Sequence, residues 1–260
     1  MNTISFDMYA GSHNIELLEE LHRVSCPDAE IIQDEGMHKI SILSVSTTGD
    51  DTYDTDDIIT LIVETAQRLR MQFPMLTENK IVYTLDIRIV VTDADETSIP
   101  GITLSREYIS LASELGIQTR FHLMISSSTR KGTLNSGAYL YIDSDNEINF
   151  PVLNRIAGIQ PSVLYRKGCK GRYTVVDFYA WGLEVSSENQ LPDVPVSALM
   201  RKLKNAKETG AYCEENNLES HVDITCYSIY SEPLCFQLEP SFFTFLKELQ
   251  VRFVAMDFMN

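Results

Sequence analysis

The same pattern occurs twice in this chain, as LSREYISLASELGIQTRFHLMIS (residues 104–126) and as LEPSFFTFLKELQVRFVAMDFMN (residues 238–260). With an offset of 134 residues, the apolar residues of the first stretch fall over apolar residues of the second. In the first stretch these residues are Leu104, Tyr108, Ile109, Ala112, Leu115 and Ile117. Their spacing is typical of an amphipathic helix, and the extended run that follows suits a strand. Each stretch therefore predicts a helix, a tight turn and a strand.

The correspondence between the two halves continues upstream of these stretches. Alternating apolar and polar runs predict strands in both halves, and amphipathic runs predict helices between them. The matching segments are residues 40–48 with 176–187, 56–73 with 194–212, and 83–92 with 221–230. The openings of the two halves also correspond, because each has a short strand followed by a helix. Several elements in the same order predict an internal duplication.

The boundary between the copies is predicted in the stretch SSSTRKGTLNSG, residues 126–137, which has no apolar face. The predicted domains are a first module at residues 1–127, a short linker at 128–136 and a second module at 137–260. Strands joined by short loops or single helices predict an α+β fold. We expect two tandem homologous modules, each a mostly antiparallel sheet covered by helices on one face.

Apolar runs and cysteines exclude several classes of protein. No run approaches the eighteen apolar residues of a membrane span, and the N-terminal residues lack the pattern of a secretory signal. The five cysteines are odd in number, and none forms a CxxC pair. We therefore expect reduced thiols, no disulfide framework, no metal site and a cytoplasmic location.

The net charge of −16 is unevenly distributed along the chain. Residues 1–127 contain 8 Lys and Arg against 21 Asp and Glu, which gives a net charge of −13. Residues 128–260 contain 13 against 16, which gives −3. A field of this sign repels nucleic acid and anionic membranes and attracts basic surfaces. The first module is therefore the predicted contact surface for a basic partner.

Two acidic stretches of the first module supply the predicted partner-binding residues. They are GDDTYDTDD at residues 49–57 and TDADETSIPG at residues 92–101. The carboxylates predicted to contact a partner are Asp50, Asp51, Asp54, Asp56, Asp57, Asp93, Asp95 and Glu96. A calcium loop needs a central glycine and a bidentate glutamate at its end, and the first stretch has neither in place. The alternative interpretation is a solvated loop that caps a helix.

The second module has one basic stretch, YRKGCKGRY at residues 165–173. Its cations, together with a nearby tryptophan, are the predicted residues of a possible ligand site: Arg166, Lys167, Lys170, Arg172 and Trp181. The stretch lacks the spacing of a phosphate-binding P-loop. A hairpin turn with solvated cations is the favoured interpretation, and a core position is favoured for the single tryptophan.

The sequence contains no recognisable catalytic motif. The chain has no GxSxG, HExxH or GxGxxG segment, and its five histidines lie far apart in sequence. No catalytic residue and no cofactor are predicted, and we expect the protein not to be an enzyme.

The order of elements resembles a bacterial domain-of-unknown-function family of small cytoplasmic α+β proteins. In the second half the resemblance rests on GIQPSVLYRKG (158–168), WGLEVSS (181–187) and FQLEPSFFTFLKELQVRFVAMDF (236–258), and in the first half on GITLSREYISLASELGIQTRF (101–121). The first half has no matching tryptophan and carries DEGMHK (34–39) in place of the Lys-Gly loop. The family implies a fold and no reaction. Some similar proteins look like immunity components of bacterial toxin systems.

Two functions follow as hypotheses. The first is a non-catalytic protein that neutralises a basic partner, such as the nuclease domain of a toxin, through the acidic loops of the first module. The alternative is a small-ligand or nucleotide sensor, with a site between the modules near residues 165–173. The oligomeric state is left open.

Overall fold

The structure, a computed structural model, describes residues 2–25, 30–34, 36–49, 55–72, 81–92, 101–126, 134–169, 175–227 and 233–259. Its strands are β1 (Asn2–Ser12), β2 (Ile31–Asp34), β3 (Met37–Gly49), β4 (Val82–Thr92), β5 (Ile102–Ser105), β6 (Gln118–Ser126), β7 (Asn135–Ser144), β8 (Val163–Tyr165), β9 (Tyr179–Glu188), β10 (Glu219–Tyr227), β11 (Leu234–Leu238) and β12 (Phe253–Met259). Its helices are α1 (Ile15–Ser25), α2 (Thr55–Gln72), α3 (Arg106–Leu115), α4 (Phe150–Ala157), α5 (Asp193–Lys202), α6 (Ala206–Glu215) and α7 (Pro240–Glu248). The predicted α+β class is confirmed.

The strands form two mostly antiparallel sheets, one in each of two compact units. Sheet A has the order β11-β6-β4-β1-β3-β2, and only β4 and β6 are parallel neighbours in it. Sheet B has the order β5-β12-β10-β7-β9-β8, and only β10 and β12 are parallel neighbours in it. The two orders become identical when each strand is replaced by its equivalent in the other half. This shared topology supports the predicted duplication.

The outermost strands β5 and β11 are exchanged between the halves. Strand β5 comes from the first half and pairs with β12 in sheet B, whereas β11 comes from the second half and pairs with β6 in sheet A. The compact units are therefore residues 1–98, 110–131 and 230–243, and residues 99–109, 132–229 and 244–260. The predicted boundaries describe the repeat in the sequence, and the compact units differ from them by this exchange.

Each sheet buries one face, and helices pack on that face. In sheet A the buried strand residues include Ile4, Phe6 and Leu85, and α1 and α2 pack there. In sheet B they include Leu140 and Val222, and α5 and α6 pack there. Because side chains alternate along a strand, the odd-numbered residues of β1, β7, β10 and β12 lie on the opposite faces.

The first apolar residue of each repeated stripe lies just before its helix. Leu104 and Leu238 are buried at the ends of β5 and β11. Helices α3 and α7 then begin at Arg106 and Pro240, where the residue types favour a helix start. The side chain of Ser105 accepts a hydrogen bond from the backbone N–H of Tyr108, which starts α3 after the strand. The apolar residue before each helix therefore belongs to an exchanged strand.

The tight turn predicted after each repeated helix contains one residue with left-handed backbone. Gly116 has φ +66° and Gln250 has φ +61°, and these residues occupy equivalent positions at an offset of 134. Glycine adopts this conformation without strain, whereas glutamine does so at a cost. Beyond the turn, the alternation of buried residues in β6 and β12 differs by one position. Phe121 in β6 is buried, whereas Ala255, which is 134 residues further on in β12, is not.

Helix α4 shows why the second half folds as the pattern predicts. The side chain of Asn149 caps the first turn by accepting from the N–H of Val152, and Pro151 suits that turn. Gly158 ends the helix with φ +69°. The predicted linker lies mostly outside the described residues, but Leu134 within it is buried and β7 begins at Asn135. Among the described helices, none is long and apolar enough to cross a membrane.

Candidate functional site

The face of sheet B opposite its core carries acidic and aromatic side chains, and we call it the acidic sheet face. It is defined by the outward-facing positions of β7, β8, β9, β10 and β12. Its carboxylates are Asp143, Glu184, Glu188, Glu219, Asp223 and Asp257. Its rings are those of Tyr139, Tyr141, Tyr165, His221, Tyr227 and Phe253.

No lysine or arginine occupies an outward strand position of this face among the residues that the structure describes. Arg252 lies beside the face, immediately before β12, and forms an ion pair with Glu219. Lys202 Nζ donates to the backbone carbonyl of Glu184 at 3.2 Å. Because this bond is to the backbone, it does not pair the lysine with the side-chain carboxylate of Glu184. The face is therefore strongly negative, although the second half as a whole is close to neutral.

His221 lies at the centre of the acidic sheet face. Its Nδ1 is 3.2 Å from Asp143 Oδ2, and its Nε2 is 3.9 Å from Asp223 Oδ2. The imidazole stacks on the ring of Phe253, with centroids 5.1 Å apart and planes 13° apart. The ring of Tyr141 lies on its other neighbouring strand at 5.5 Å. The centre is thus a small aromatic cluster between carboxylates, the composition of an anchor point at protein interfaces.

Burial and the neighbouring carboxylates shift the pKa values of this cluster. Burial acts to lower the pKa of His221, but the hydrogen bond to Asp143 and the charges of Asp223, Asp143 and Glu219 raise it by more, so that the pKa is raised overall. Burial, with a further contribution from Asp257, raises the pKa of Asp223 despite the opposing effect of His221. Burial and the Glu184 carboxylate raise the pKa of the Tyr141 hydroxyl, which donates to Glu184 Oε1 at 3.1 Å.

These shifts predict a pH dependence of stability. A histidine whose pKa is raised on folding stabilises the fold fully below its unfolded value of about 6.5, and this contribution is lost as pH rises through the folded pKa. We expect His221→Gln to lower the free energy of unfolding more at pH 5.5 than at pH 8, measured by urea denaturation. An equal loss at both pH values would contradict the charged contact with Asp143 and Asp223.

Two hollows lie at opposite ends of the acidic sheet face. One has a volume of about 420 Å³ and is lined by Asp143, Ser144, Asp145, Asn146, Phe178, Asn217 and Glu219. The other also has about 420 Å³ and is lined by Asn135, Ser136, Tyr139, Ser186, Ser187, Glu188, Thr225 and Tyr227. Within the second hollow, Thr225 is buried and its Oγ1 has no hydrogen-bond partner among the described residues. Both hollows contain carboxylates, which suits cationic side chains.

Glycine positions shape the floor of the acidic sheet face. A Cβ at Gly182 would lie 2.9 Å from two ring atoms of Tyr141, and a Cβ at Gly137 would collide with the ring of Tyr139. The two tyrosine rings therefore lie across the glycine backbone, with the Tyr139 hydroxyl over Gly137 and the Tyr141 hydroxyl bonded to Glu184. Among the described residues, no group of three His, Cys, Asp or Glu side chains is placed to hold a metal ion.

The structure places only part of the predicted acidic loops. Asp56 and Asp57 are exposed in the first turn of α2, where a carboxylate interacts favourably with the helix dipole. The remaining predicted residues, Asp50, Asp51, Asp54, Asp93, Asp95 and Glu96, lie outside the described residues. The first-module surface for a basic partner therefore stays a prediction.

The predicted ligand residues do not form one site in the described part of the chain. Arg166 and Lys167 are exposed in a hairpin turn in which the N–H of Gly168 donates to Val176 O at 2.8 Å, and Arg166 lies over the ring of Phe150 at 5.8 Å. Lys170 and Arg172 lie outside the described residues. Trp181 is fully buried, so its prediction as a ligand contact is corrected to the core position that was favoured.

Sequence reasoning missed the acidic sheet face because its carboxylates are far apart along the chain. They come from strands that span residues 135–259, and the module that contains them has little net charge. A usable signal was present in the outward positions of the alternating strands, as in His221 and Asp223 or Tyr141 and Asp143. Reading the polar side of each strand as one surface would have grouped them.

Comparison with known proteins does not place the chain in a family. No family model matches it, and no curated protein matches it. Among solved structures it is similar to one described as "Crystal structure of putative glycine cleavage system transcriptional repressor". The sequence identity is 10% over 85% of this chain and 97% of that chain, with a TM-score of 0.20. At that TM-score the likeness establishes no shared fold or function.

Proposed function

We propose that the protein acts by binding a basic protein partner without turning over a substrate, and that the acidic sheet face is its main contact surface. The observation that carries this proposal is the face itself, where carboxylates surround an aromatic centre and the described outward positions contain no lysine or arginine. Aromatic residues at the centre of a surface supply most of the affinity of a protein interface, and charges at the rim steer association.

The partner is a basic domain, and its chemistry follows from the charge of the face. The two hollows at the ends of the face present Asp143, Asp145 and Glu219 at one end and Glu188 at the other. Lysine or arginine side chains that enter them would form charge-assisted hydrogen bonds. A nuclease toxin is a specific case, since a surface that binds nucleic acid is positively charged and an acidic protein can cover it. In that case the protein is a cytoplasmic immunity protein, the role that some proteins similar to the resembled family look to have.

The proposal predicts a selective loss of binding. The probe is a fluorescein-labelled peptide rich in lysine and arginine, and its reference is a peptide in which glutamine replaces every cation. We expect Asp223→Asn with Asp257→Asn to weaken binding of the basic peptide about tenfold, because two carboxylates of the face are lost. The matched control is Glu214→Gln with Glu215→Gln, which removes the same charge from exposed positions on α6. The measurement is fluorescence anisotropy at two salt concentrations.

Two outcomes of this experiment would contradict the proposal. Equal weakening by both double variants would contradict the acidic sheet face as the contact surface. Equal binding of the basic and the glutamine peptides would contradict the proposed function itself. A further variant, Asp56→Asn with Asp57→Asn, measures what the described part of the first-module loops adds.

A further inference from the structure

A thiol, an imidazole and a carboxylate lie in line on sheet A, on the face opposite its core. Cys235 in β11 is directly opposite His122 in β6, and its Sγ is 3.2 Å from His122 Nδ1. The other ring nitrogen, Nε2, is 3.9 Å from Asp86 Oδ1 in β4. All three residues belong to the same compact unit. No sequence motif connects them, because 113 residues separate His122 from Cys235.

The geometry indicates one protonation pattern for the ring. His122 Nε2 and Asp86 Oδ1 are both buried atoms without a hydrogen-bond partner among the described residues, and they face each other. A proton on Nε2 satisfies both atoms after a small movement, since a buried polar atom without a partner is costly. Nδ1 is then the acceptor for the Cys235 thiol. This is the order of groups that activates a nucleophile through a base and a group that orients the base.

Neighbouring contacts hold the three groups in place. Phe236, next to Cys235, stacks on Phe121, next to His122, with centroids 5.0 Å apart and planes 9° apart. This stack lies on the core side and fixes β11 against β6. Arg88, opposite His122 on β4, is 3.5 Å from Asp7, which also accepts from the Ser44 hydroxyl. Cys235 itself is exposed.

The other described cysteines lack either exposure to solvent or a neighbouring imidazole. Cys213 and Cys226 are buried, and burial raises their pKa values to about 12 and about 11. Cys169 is exposed in the turn after β8, on a different unit, where its backbone N–H donates to Arg166 O. Cys169 therefore serves as an internal reference thiol. It is exposed, as Cys235 is, and it has no imidazole contact among the described residues.

We propose that Cys235 is a site of thiol–disulfide exchange with small disulfides, in which His122 is the base and Asp86 is a positioning residue. The sulfur of Cys235 attacks one sulfur of the disulfide, the original S–S bond breaks, and a new S–S bond joins Cys235 to half of the reagent. The thiol proton passes to His122 Nδ1 and then to the leaving sulfur. Exchange requires a nucleophilic thiol, a proton acceptor and access, which this cluster combines.

The test follows the modification of each thiol separately. The full-length chain carrying Cys26→Ser is treated with bis(2-hydroxyethyl) disulfide at pH 7, and adduct formation on each cysteine is measured by peptide mass spectrometry. The reagent is neutral, so net charge does not bias the comparison. We expect Cys235 to react at least about tenfold faster than Cys169, since a positioned base is worth about 100-fold or more in favourable cases. Equal rates at the two cysteines would overturn the proposal. This comparison needs no substitution in the cluster, so it does not depend on whether a variant folds.

Variants assign the roles within the cluster. His122→Gln is expected to slow Cys235 to within about twofold of Cys169, and Asp86→Asn to slow it by a smaller factor. Met124→Gln, at an exposed position two residues after His122 on the same face of β6, is the matched control and should leave the Cys235 rate unchanged. Added imidazole should partly restore the rate of His122→Gln. A Cys235 rate unaffected by His122→Gln, in a variant with an unchanged far-UV spectrum, would overturn the role of the imidazole.

Discussion

Replacing Trp181 by alanine is expected to lower the free energy of unfolding by about 3–5 kcal/mol. Trp181 is fully buried in β9, where it pairs with Ile142 on one side and Leu164 on the other. Its indole N–H donates to Asn154 Oδ1 at 2.7 Å. Alanine leaves a cavity and also removes the donor for Asn154, so the loss combines lost apolar burial with an unsatisfied acceptor.

The measurement is urea unfolding followed by far-UV circular dichroism, because the variant has no tryptophan left. Trp181→Phe retains a buried ring but not the donor, and we expect a smaller loss of about 1–3 kcal/mol. Phe178→Ala, at a residue that is 39% exposed, is the control and should cost less than either core variant. A loss below about 1 kcal/mol for Trp181→Ala would contradict the core position.

Replacing Gly210 by alanine is expected to destabilise the protein by about 1–3 kcal/mol, against the usual trend for helices. In an open helix the same change stabilises by up to about 1 kcal/mol, because alanine has the higher helix propensity. At Gly210 in α6, however, a Cβ would lie 2.8 Å from the carbonyl carbon of Leu249 and would collide with Glu248 O. These are backbone atoms at the end of α7, so no side-chain rotation relieves the overlap.

The sign of the change in unfolding free energy for Gly210→Ala decides between helix propensity and steric overlap. Chemical denaturation measures this free energy. Glu208→Ala, at an exposed position of the same helix, tests propensity without a close neighbour and should stay within about 0.5 kcal/mol of the parent. Gly210→Val should cost more than Gly210→Ala, because its larger side chain meets the same backbone. A stabilised Gly210→Ala would show that α6 and the end of α7 are further apart than the structure places them.

The repeated elements were predictable because local chemistry fixes them. The amphipathic stripes of α3 and α7 and the alternating strands follow from periodicity within a short window. The class of each element and their order are therefore recoverable from one sequence.

The exchange of β5 and β11 was not predictable in the same way. These strands have only 4 and 5 residues, and their apolar residues, such as Leu104 and Phe236, specify which side is buried. Alternation does not specify the neighbouring strand, because backbone hydrogen bonds to β6 or to β12 are chemically equivalent. The choice depends on the path of the whole chain, which no short window contains.

The candidate sites were missed for a related reason. Neither His221 nor His122 belongs to a motif, and each gains its partners through strand register: Tyr141 lies opposite His221, and Cys235 lies opposite His122. A shift of one residue in either pairing would move these side chains to the other face. The proposed roles of these positions depend on pairing between distant strands, so composition and spacing along the chain carry little information about them.

The crossing of β5 and β11 makes the two copies mutually dependent. A fragment cut within residues 127–133 would carry β5 without its partner strand β12, and would leave β6 as a bare edge that lacks β11. An unpaired strand edge can hydrogen-bond to a strand of another chain. We therefore expect the two fragments to remain associated after cleavage, and either fragment expressed alone to form a dimer. A single-copy ancestor would then have been an obligate dimer, and gene fusion would have tied its two subunits into one polypeptide.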